Sequence, residues 1–286
     1  MIYIGAHIPR EKNLMDMMKV IIDAGGNSLQ IFVSNPRSVQ IGTYNLKFLG
    51  DANEINKFIN DNNFKLIIHS PYTINLASPM IINKRMINLE ECYWIKILLK
   101  ELEIAHLLGA VGCVVHTGKS TKSPVKEGLI NMKKGIEYLI EEIIKNGWSS
   151  KLILETSSGQ GTELLSNYQD FLNFYNDFDD KHKEVFKICI DTCHIWAKGY
   201  ELKEILDMTI KNNNVNDIAV IHINNSKNPK GSHLDRHEII NQGFINIKDI
   251  FNFIKSFRSL NKDIVMILET PTQNFKYEFH EIKKHS

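Results

Sequence analysis

Asp191 and His194 stand three residues apart in "CIDTCHIWAKGY", residues 189–200, directly after an apolar run. A carboxylate and an imidazole beside a buried strand are costly unless each is paired or bound to a metal. Farther along, "GSHLDRH", residues 231–237, sets Asp235 and His237 two apart, so that both can chelate from one face of an extended loop. His194, Asp235 and His237 together form a set of three protein ligands that leaves a position for water or substrate. A D-x-H pair also occurs in plain salt-bridged turns, and Asp191 alone could cap the turn after it. The metal reading therefore depends on what the rest of the chain delivers to the same place.

Eight short, β-branched apolar runs occur in order: "YIGAH", "SLQIFVS", "KLIIHS", "GCVVHTG", "KLILETS", "FKICIDTCH", "IAVIHINNS" and "IVMILET". Runs this continuous read as strands buried on both faces. Between them lie segments of helical spacing: Asn13–Ala24, Leu46–Asn62, Met86–Leu108, Glu127–Lys145, Glu163–Tyr175, Leu202–Lys211 and Ile247–Phe257. Strand–helix alternation of this kind predicts a parallel sheet with covering helices, and eight units predict closure into a single TIM (β/α)8 barrel. Neither a Pro/Gly/Ser-rich linker nor a low-complexity stretch interrupts residues 1–286, so one domain is expected.

In that frame His69 ends the third strand, His116 the fourth, Glu155 the fifth, Asp191 the sixth, His222 the seventh and Glu269 the eighth. Barrel enzymes build their sites at this carboxyl-terminal rim. A single His or Glu at a strand end is usually a satisfied polar group at a loop entrance. Six consecutive strand ends carrying metal-ligating types call for one common explanation, and a metal cluster supplies it. His7, ending the first strand, is expected at most to support a ligand rather than to bind metal.

Composition narrows the setting. The formal net charge is +1 and hydrophobic residues make up 43% of the 286-residue chain, an ordinary globular balance that does not advertise a nucleic-acid binder. Positive potential for a polyanion would have to come from local side chains or bound ions. Cys92, Cys113, Cys189 and Cys193 lack CxxC spacing, which argues against a disulfide framework or a thiolate zinc site and fits a reducing, intracellular compartment. A strand beginning at Tyr3 leaves no room for a signal peptide before it, and no apolar run approaches membrane-span length, so a protein neither secreted nor membrane-bound is expected.

At these residues the sequence resembles the endonuclease IV family of apurinic/apyrimidinic (AP) endonucleases, AP endonuclease family 2. The resemblance runs from "YIGAH" to "ILETP", nearly the whole chain, through "NPRS", "HSPYTINLASP", "ETSSGQG", "CIDTCH", "AKGYEL" and "GSHLDRHE" in family order. It implies a TIM barrel with three Zn2+ ions that cleaves duplex DNA 5′ to an abasic site. It further implies that His69, His116 and Glu155 hold one zinc, and that Glu155 bridges to a second completed by Asp191, His222 and Glu269. His194, Asp235 and His237 would hold the third. Mn2+ accepts similar N/O ligands and is an alternative at these sites. The chain departs from the family at Val39, where an aromatic residue is usual, and at Thr73, where leucine is usual. Asn241 and Asn246 replace glycines, and Asn can tolerate positive φ.

The implied chemistry is hydrolysis by a water activated between metals, with Glu155 or Glu269 orienting it or taking its proton. The products would be a 3′-hydroxyl and a 5′-deoxyribose phosphate, and 3′ blocking groups would be cleared as well. No Ser–His–Asp arrangement appears, so no covalent protein intermediate is needed. Candidate DNA contacts are Arg37, Tyr72, Lys119, Gln160, Lys198, Lys227, Lys230 and Arg236, although any one Lys taken singly reads as a solvated surface charge. Gly159 and Gly161 flank Gln160 and suit close backbone approach. Arg37 and Tyr72 resemble family residues that enter the minor groove and fill the gap left by the extruded sugar. The partner is then duplex DNA with abasic or 3′-blocked sites, and a monomer is expected. A metal-dependent sugar isomerase or epimerase on the same barrel would explain Glu155, Asp191, His222 and Glu269, but not the third site. A non-catalytic damage-binding protein would require a broken cluster.

Overall fold

The alternation of apolar runs and amphipathic segments closes on itself. The computed structural model describes residues 2–9, 13–38, 49–82, 85–271 and 275–285. Its barrel strands are β1 (Tyr3–His7), β2 (Ser28–Ile31), β3 (Lys65–His69), β4 (Gly112–His116), β5 (Lys151–Glu155), β6 (Phe186–Asp191), β7 (Ile218–His222) and β8 (Val265–Leu268). Each pairs in parallel with its sequence neighbour, and β8 returns to β1, so no edge is left open. Each of the eight apolar runs holds one of these strands.

The covering helices are α1 (Leu14–Asp23), α2 (Ala52–Asp61), α3 (Tyr93–Leu107), α4 (Val125–Asn146), α5 (Tyr168–Asn176), α6 (Asp180–Lys183), α7 (Thr192–Lys198), α8 (Leu202–Lys211), α9 (Ile247–Leu260) and α10 (Phe275–His285). Three differ from the expected spans for local reasons. The helix expected over 46–62 begins at Ala52, where the Asp51 carboxylate accepts from the Asn53 and Glu54 amides; residues 46–48 lie outside the described residues. The one expected over 86–108 is divided, because Cys92 is extended (ψ 123°) between a short 3-10 turn and α3. The one expected from Glu163 starts at Tyr168, since Leu165 has a φ of +56° and Asn167 supplies the cap. The short α6 and α7 and the terminal α10 have no counterpart among the expected helices. The described residues also form two small ribbons, one of which pairs Asn225–Ser226 with His237–Glu238.

Side chains alternate across each strand. The outward set (Leu66, Ile68, Leu152, Leu154, Ile188 and Ile190 among others) packs against helix residues such as Trp94, Phe171 and Phe257. The inward set forms its own apolar layer, including Ile67, Val114, Ile153, Cys189, Val220 and Ile267. Each fully buried aliphatic side chain contributes about 1.5–3 kcal/mol. Two residues beyond this layer, on the same inward face, are His69, His116, Glu155, Asp191, His222 and Glu269. Period-two geometry alone thus carries all six to one rim.

Candidate metal centre

Three groups of donors meet at that rim. His69, His116 and Glu155 form one; Glu155, Asp191, His222 and Glu269 form the next; His194, Asp235 and His237 form the third, the ligand atoms within each group lying within 4.8 Å of one another. Glu155 joins the first two: its Oε2 lies 3.5 Å from both His69 Nε2 and His116 Nε2, and its Oε1 lies 3.0 Å from His222 Nδ1. His222 Nδ1 is 3.3 Å from Glu269 Oε2 and 3.7 Å from Asp191 Oδ2. In the third group Asp235 is 3.3 Å from His194 Nε2 through one oxygen and 3.1 Å from His237 Nε2 through the other. Donors about 2.0–2.2 Å from a tetrahedral zinc would lie roughly 3.3–3.6 Å apart, close to these separations.

The donor atoms fit a metal better than they fit one another. Glu155 Oε2, His194 Nε2 and His237 Nε2 are buried and make no hydrogen bond among the described residues, an expensive state for polar atoms without another partner. The opposite nitrogen of each ring is engaged. His69 Nδ1 lies 2.7 Å from the Ser70 carbonyl, His194 Nδ1 lies 2.8 Å from the Thr156 carbonyl, and His237 Nδ1 lies 3.3 Å from the Glu269 carbonyl. An Nδ1–H donated to each carbonyl leaves the Nε2 lone pair turned to the donor group, the usual arrangement of a ligating imidazole. His222 is reversed: its Nε2 sits 2.9 Å from Gln30 Oε1, so Nδ1 faces the carboxylates.

Local backbone structure sets the loops. Asp191 divides its oxygens: Oδ1 caps α7 by accepting the His194 amide at 2.9 Å, while Oδ2 turns to the cluster. The cap and the metal-ligand readings of Asp191 are therefore compatible. His194, in the first turn of α7, is turned toward both Glu155 and Asp235. The ribbon that pairs Ser226 with His237 holds the loop carrying Asp235 and His237 against the rim.

The potential here is strongly negative. Burial opposes the charged form of every group, yet the carboxylates hold His194 well above the ordinary imidazole range and His237 at about 9. Reciprocally, and again against burial, the histidines hold Glu155, Glu269 and Asp235 below the usual carboxylate range. Four carboxylates in one cavity call for added positive charge, which protons or metal ions can supply.

A family model described as a xylose isomerase-like TIM barrel matches residues 18–285. A protein of Clostridium beijerinckii named probable endonuclease 4 is 30% identical over 278 residues, covering 96% of this chain and 94% of that protein. The chain belongs to the endonuclease IV family. Among solved structures, endonuclease IV from Thermus thermophilus superposes with a TM-score of 0.78 at 21% identity, covering 99% of this chain and 98% of that one. A D-tagatose 3-epimerase-like protein superposes with a TM-score of 0.73 at 18% identity, covering 99% and 97%. Likeness of fold at this level does not by itself separate nucleases from epimerases.

The other candidate residues of this endonuclease IV family chain differ in what they touch. A cavity of about 620 Å³ beside the cluster is lined by residues that include His7, Phe32, Arg37, Tyr72, His237 and Glu269. Tyr72 stands at its edge, 60% exposed, with its ring 5.2 Å from Phe32 and 5.8 Å from His69. Thr73 turns its hydroxyl to the Ser38 carbonyl at 3.0 Å, and Val39 lies outside the described residues. Lys119 is paired with Glu163 at 3.3 Å. Lys230 is paired with Glu201 and lies over the Trp196 ring. Gln160 holds the loop that carries Asp235 and His237, its Oε1 accepting the Asp235 amide at 3.2 Å. Gly159 (φ +79°) is required beside it, because a Cβ there would lie 2.7 Å from His233 Nδ1. Lys198 ends α7 half-buried, and Lys227 and Arg236 are exposed. Neither Asn241 nor Asn246 adopts positive φ; Asn246, at φ −63°, caps α9 instead.

Sequence reasoning missed two supports. Buried Gln30 on β2 donates to Glu269 Oε1 at 2.7 Å and lies 3.0 Å from His7 Nδ1. Buried Asn224 donates to Asp191 Oδ2 at 2.7 Å and accepts the Glu269 amide at 2.9 Å. A polar residue in the middle of "SLQIF", and the "HINN" end of the seventh run, were the signals. Cys189 and Cys193 also border the donors, but burial pushes both thiols up to about 12 and keeps them protonated.

Proposed function

We propose that this protein is a DNA-repair endonuclease, a hydrolase that cuts the phosphodiester 5′ to an abasic site in duplex DNA. It leaves a 3′-hydroxyl and a 5′-deoxyribose phosphate and also clears blocked 3′ ends. The observation that carries the reading is the set of nine donors in three groups, two of them sharing Glu155, in a chain whose relatives are named probable endonuclease 4.

His69, His116 and Glu155 would hold one zinc ion, Glu155, Asp191, His222 and Glu269 a second, and His194, Asp235 and His237 a third. Bound zinc supplies Lewis acidity, making water nucleophilic near neutral pH and offsetting phosphate charge. Glu155 and Glu269, kept ionised by the surrounding histidines, are the groups able to orient that water or accept its proton. Gln30 and His7 occupy Glu269 Oε1, so Oε2 is the oxygen turned to the second donor group. The cavity beside Tyr72 and Arg37 gives room for an extruded, baseless sugar, and Tyr72 fills the gap left in the helix. Arg37, Lys198, Lys227 and Arg236 would make phosphate contacts. One chain carries the full donor set, so a monomer suffices.

The test is incision of an abasic duplex, without added Mg2+, by protein whose metal content is measured on the same sample. Prolonged chelation should abolish incision, and full activity of rigorously metal-free protein would refute the cluster. Turnover of free sugars without incision would favour the isomerase reading.

A further inference from the structure

The alternation that lifts the donors to one rim carries a second set of side chains to the opposite mouth. Four residues before His69, Glu155 and Asp191, on the same inward face of β3, β5 and β6, stand Lys65, Lys151 and Lys187. At about 3.3 Å rise per residue they lie roughly 13 Å along the strands from the donors. The apolar layer of Ile67, Ile153 and Cys189 separates the two levels. β4 runs between β3 and β5 and has Gly112 at this level, where a Cβ would come within 2.1 Å of the Lys151 carbonyl oxygen. The three lysines line a cavity of about 790 Å³.

Their charges are incompletely matched. Lys187 Nζ has Asp217 at 3.5 Å, and Lys65 Nζ lies over the Tyr3 ring, 4.9 Å from its centroid. Among the described residues no carboxylate lies within ion-pair distance of Lys151 Nζ, and Asp263 at the edge of the cavity is exposed. Burial, followed by the like charges of Lys187 and Lys65, holds the Lys151 ammonium below its ordinary range, with Asp263 acting against them. A half-buried cation between two others destabilises the fold unless an anion joins it.

We propose that the amino-terminal mouth of the barrel is a second binding site, for a small anion of the phosphate class, held by Lys65, Lys151 and Lys187. Three ammonium groups lining one cavity suit a compact multi-oxygen anion, and the cavity exceeds the size of phosphate alone, so the phosphate of a nucleotide is the second source of the same chemistry. The apolar layer makes this site independent of DNA bound at the metal rim.

The test follows the thermal midpoint of the metal-loaded protein during titration with inorganic phosphate, against chloride at equal ionic strength. The wild type should show a phosphate-specific rise. Lys151→Met should fold with an equal or higher starting midpoint, incise abasic duplex normally, and bind phosphate at least about 10-fold more weakly. Lys187→Met should repeat the loss, and Lys151→Arg should retain binding. Adenosine monophosphate binding more tightly than phosphate, only in chains with all three cations, would identify a nucleotide; equal binding would identify phosphate alone. A wild-type response no larger than that to chloride overturns the proposal. So does a response in Lys151→Met and Lys187→Met as large as the wild type's, which would place the anion at the metal rim.

Discussion

Gln30 and His222, 192 residues apart, meet at 2.9 Å inside the barrel, and this contact decides which imidazole nitrogen faces the carboxylates. Without the Gln30 acceptor, His222 has no partner to hold its Nε2–H, and its ring can turn. Gln30→Leu should weaken metal retention by roughly 10- to 100-fold, as loss of an outer hydrogen bond to a ligand commonly does. Metal content after graded chelation is the measurement; retention equal to wild type would show that the contact does not govern the tautomer.

Glu155 serves two donor groups, whereas Glu269 serves one. Glu155→Ala should therefore be the most damaging single ligand change, costing metal and incision together. Glu269→Gln keeps an oxygen donor but cannot take a proton, so it should keep more metal while kcat falls by about 10²- to 10⁴-fold. Wild-type turnover in Glu269→Gln would remove Glu269 from the proposed role.

Asp235 joins His194 and His237 in a group that does not include Glu155. Asp235→Ala or His237→Ala should each lose one metal and keep two, measured by elemental analysis of purified protein. Three metals retained would put these residues outside the cluster.

Tyr72 is exposed at the rim while its ring edges rest on Phe32 and His69. Stacking on bases is worth about 1–3 kcal/mol, so Tyr72→Ala should weaken abasic-duplex binding by roughly 5- to 150-fold with metal content unchanged. Removal of a 3′ block at a nick, where the helix is already interrupted, should suffer less. Equal losses on both substrates would return Tyr72 to loop packing.

Glu101 on α3 is buried, accepting Ser34 Oγ–H at 2.6 Å just before the Asn35–Arg37 turn. Burial pushes its carboxyl up from 4.5 to about 7, with Ser34 and Cys113 acting against it. A raised folded-state value means that the stabilisation is fully present below about pH 4.5 and is lost as pH rises through about 7. The displacement corresponds to about 3 kcal/mol. The stability difference between wild type and Glu101→Gln, followed by urea unfolding from pH 5 to pH 8, should shift in favour of the variant by up to about that amount. Parallel pH profiles would mean that Glu101 does not titrate in this window.

The eight strands and their six rim residues are legible from the sequence because strand periodicity is a local property. A continuous β-branched run marks the strand, and counting by two from its buried interior leads to His69, His116 or Glu155. Ordered motifs such as "CIDTCH" and "GSHLDRHE" carry the family. Helix boundaries at Ala52 and Tyr168 depend on single backbone torsions and caps, which spacing does not reveal. Only closure of the barrel joins Gln30 to His222 and Glu269, seats Asn224 between Asp191 and Glu269, and gathers Lys65, Lys151 and Lys187 at the far mouth. Those contacts follow from the register between strands and from burial inside a closed sheet. Both depend on every strand at once, so neither can be read along a single stretch of chain.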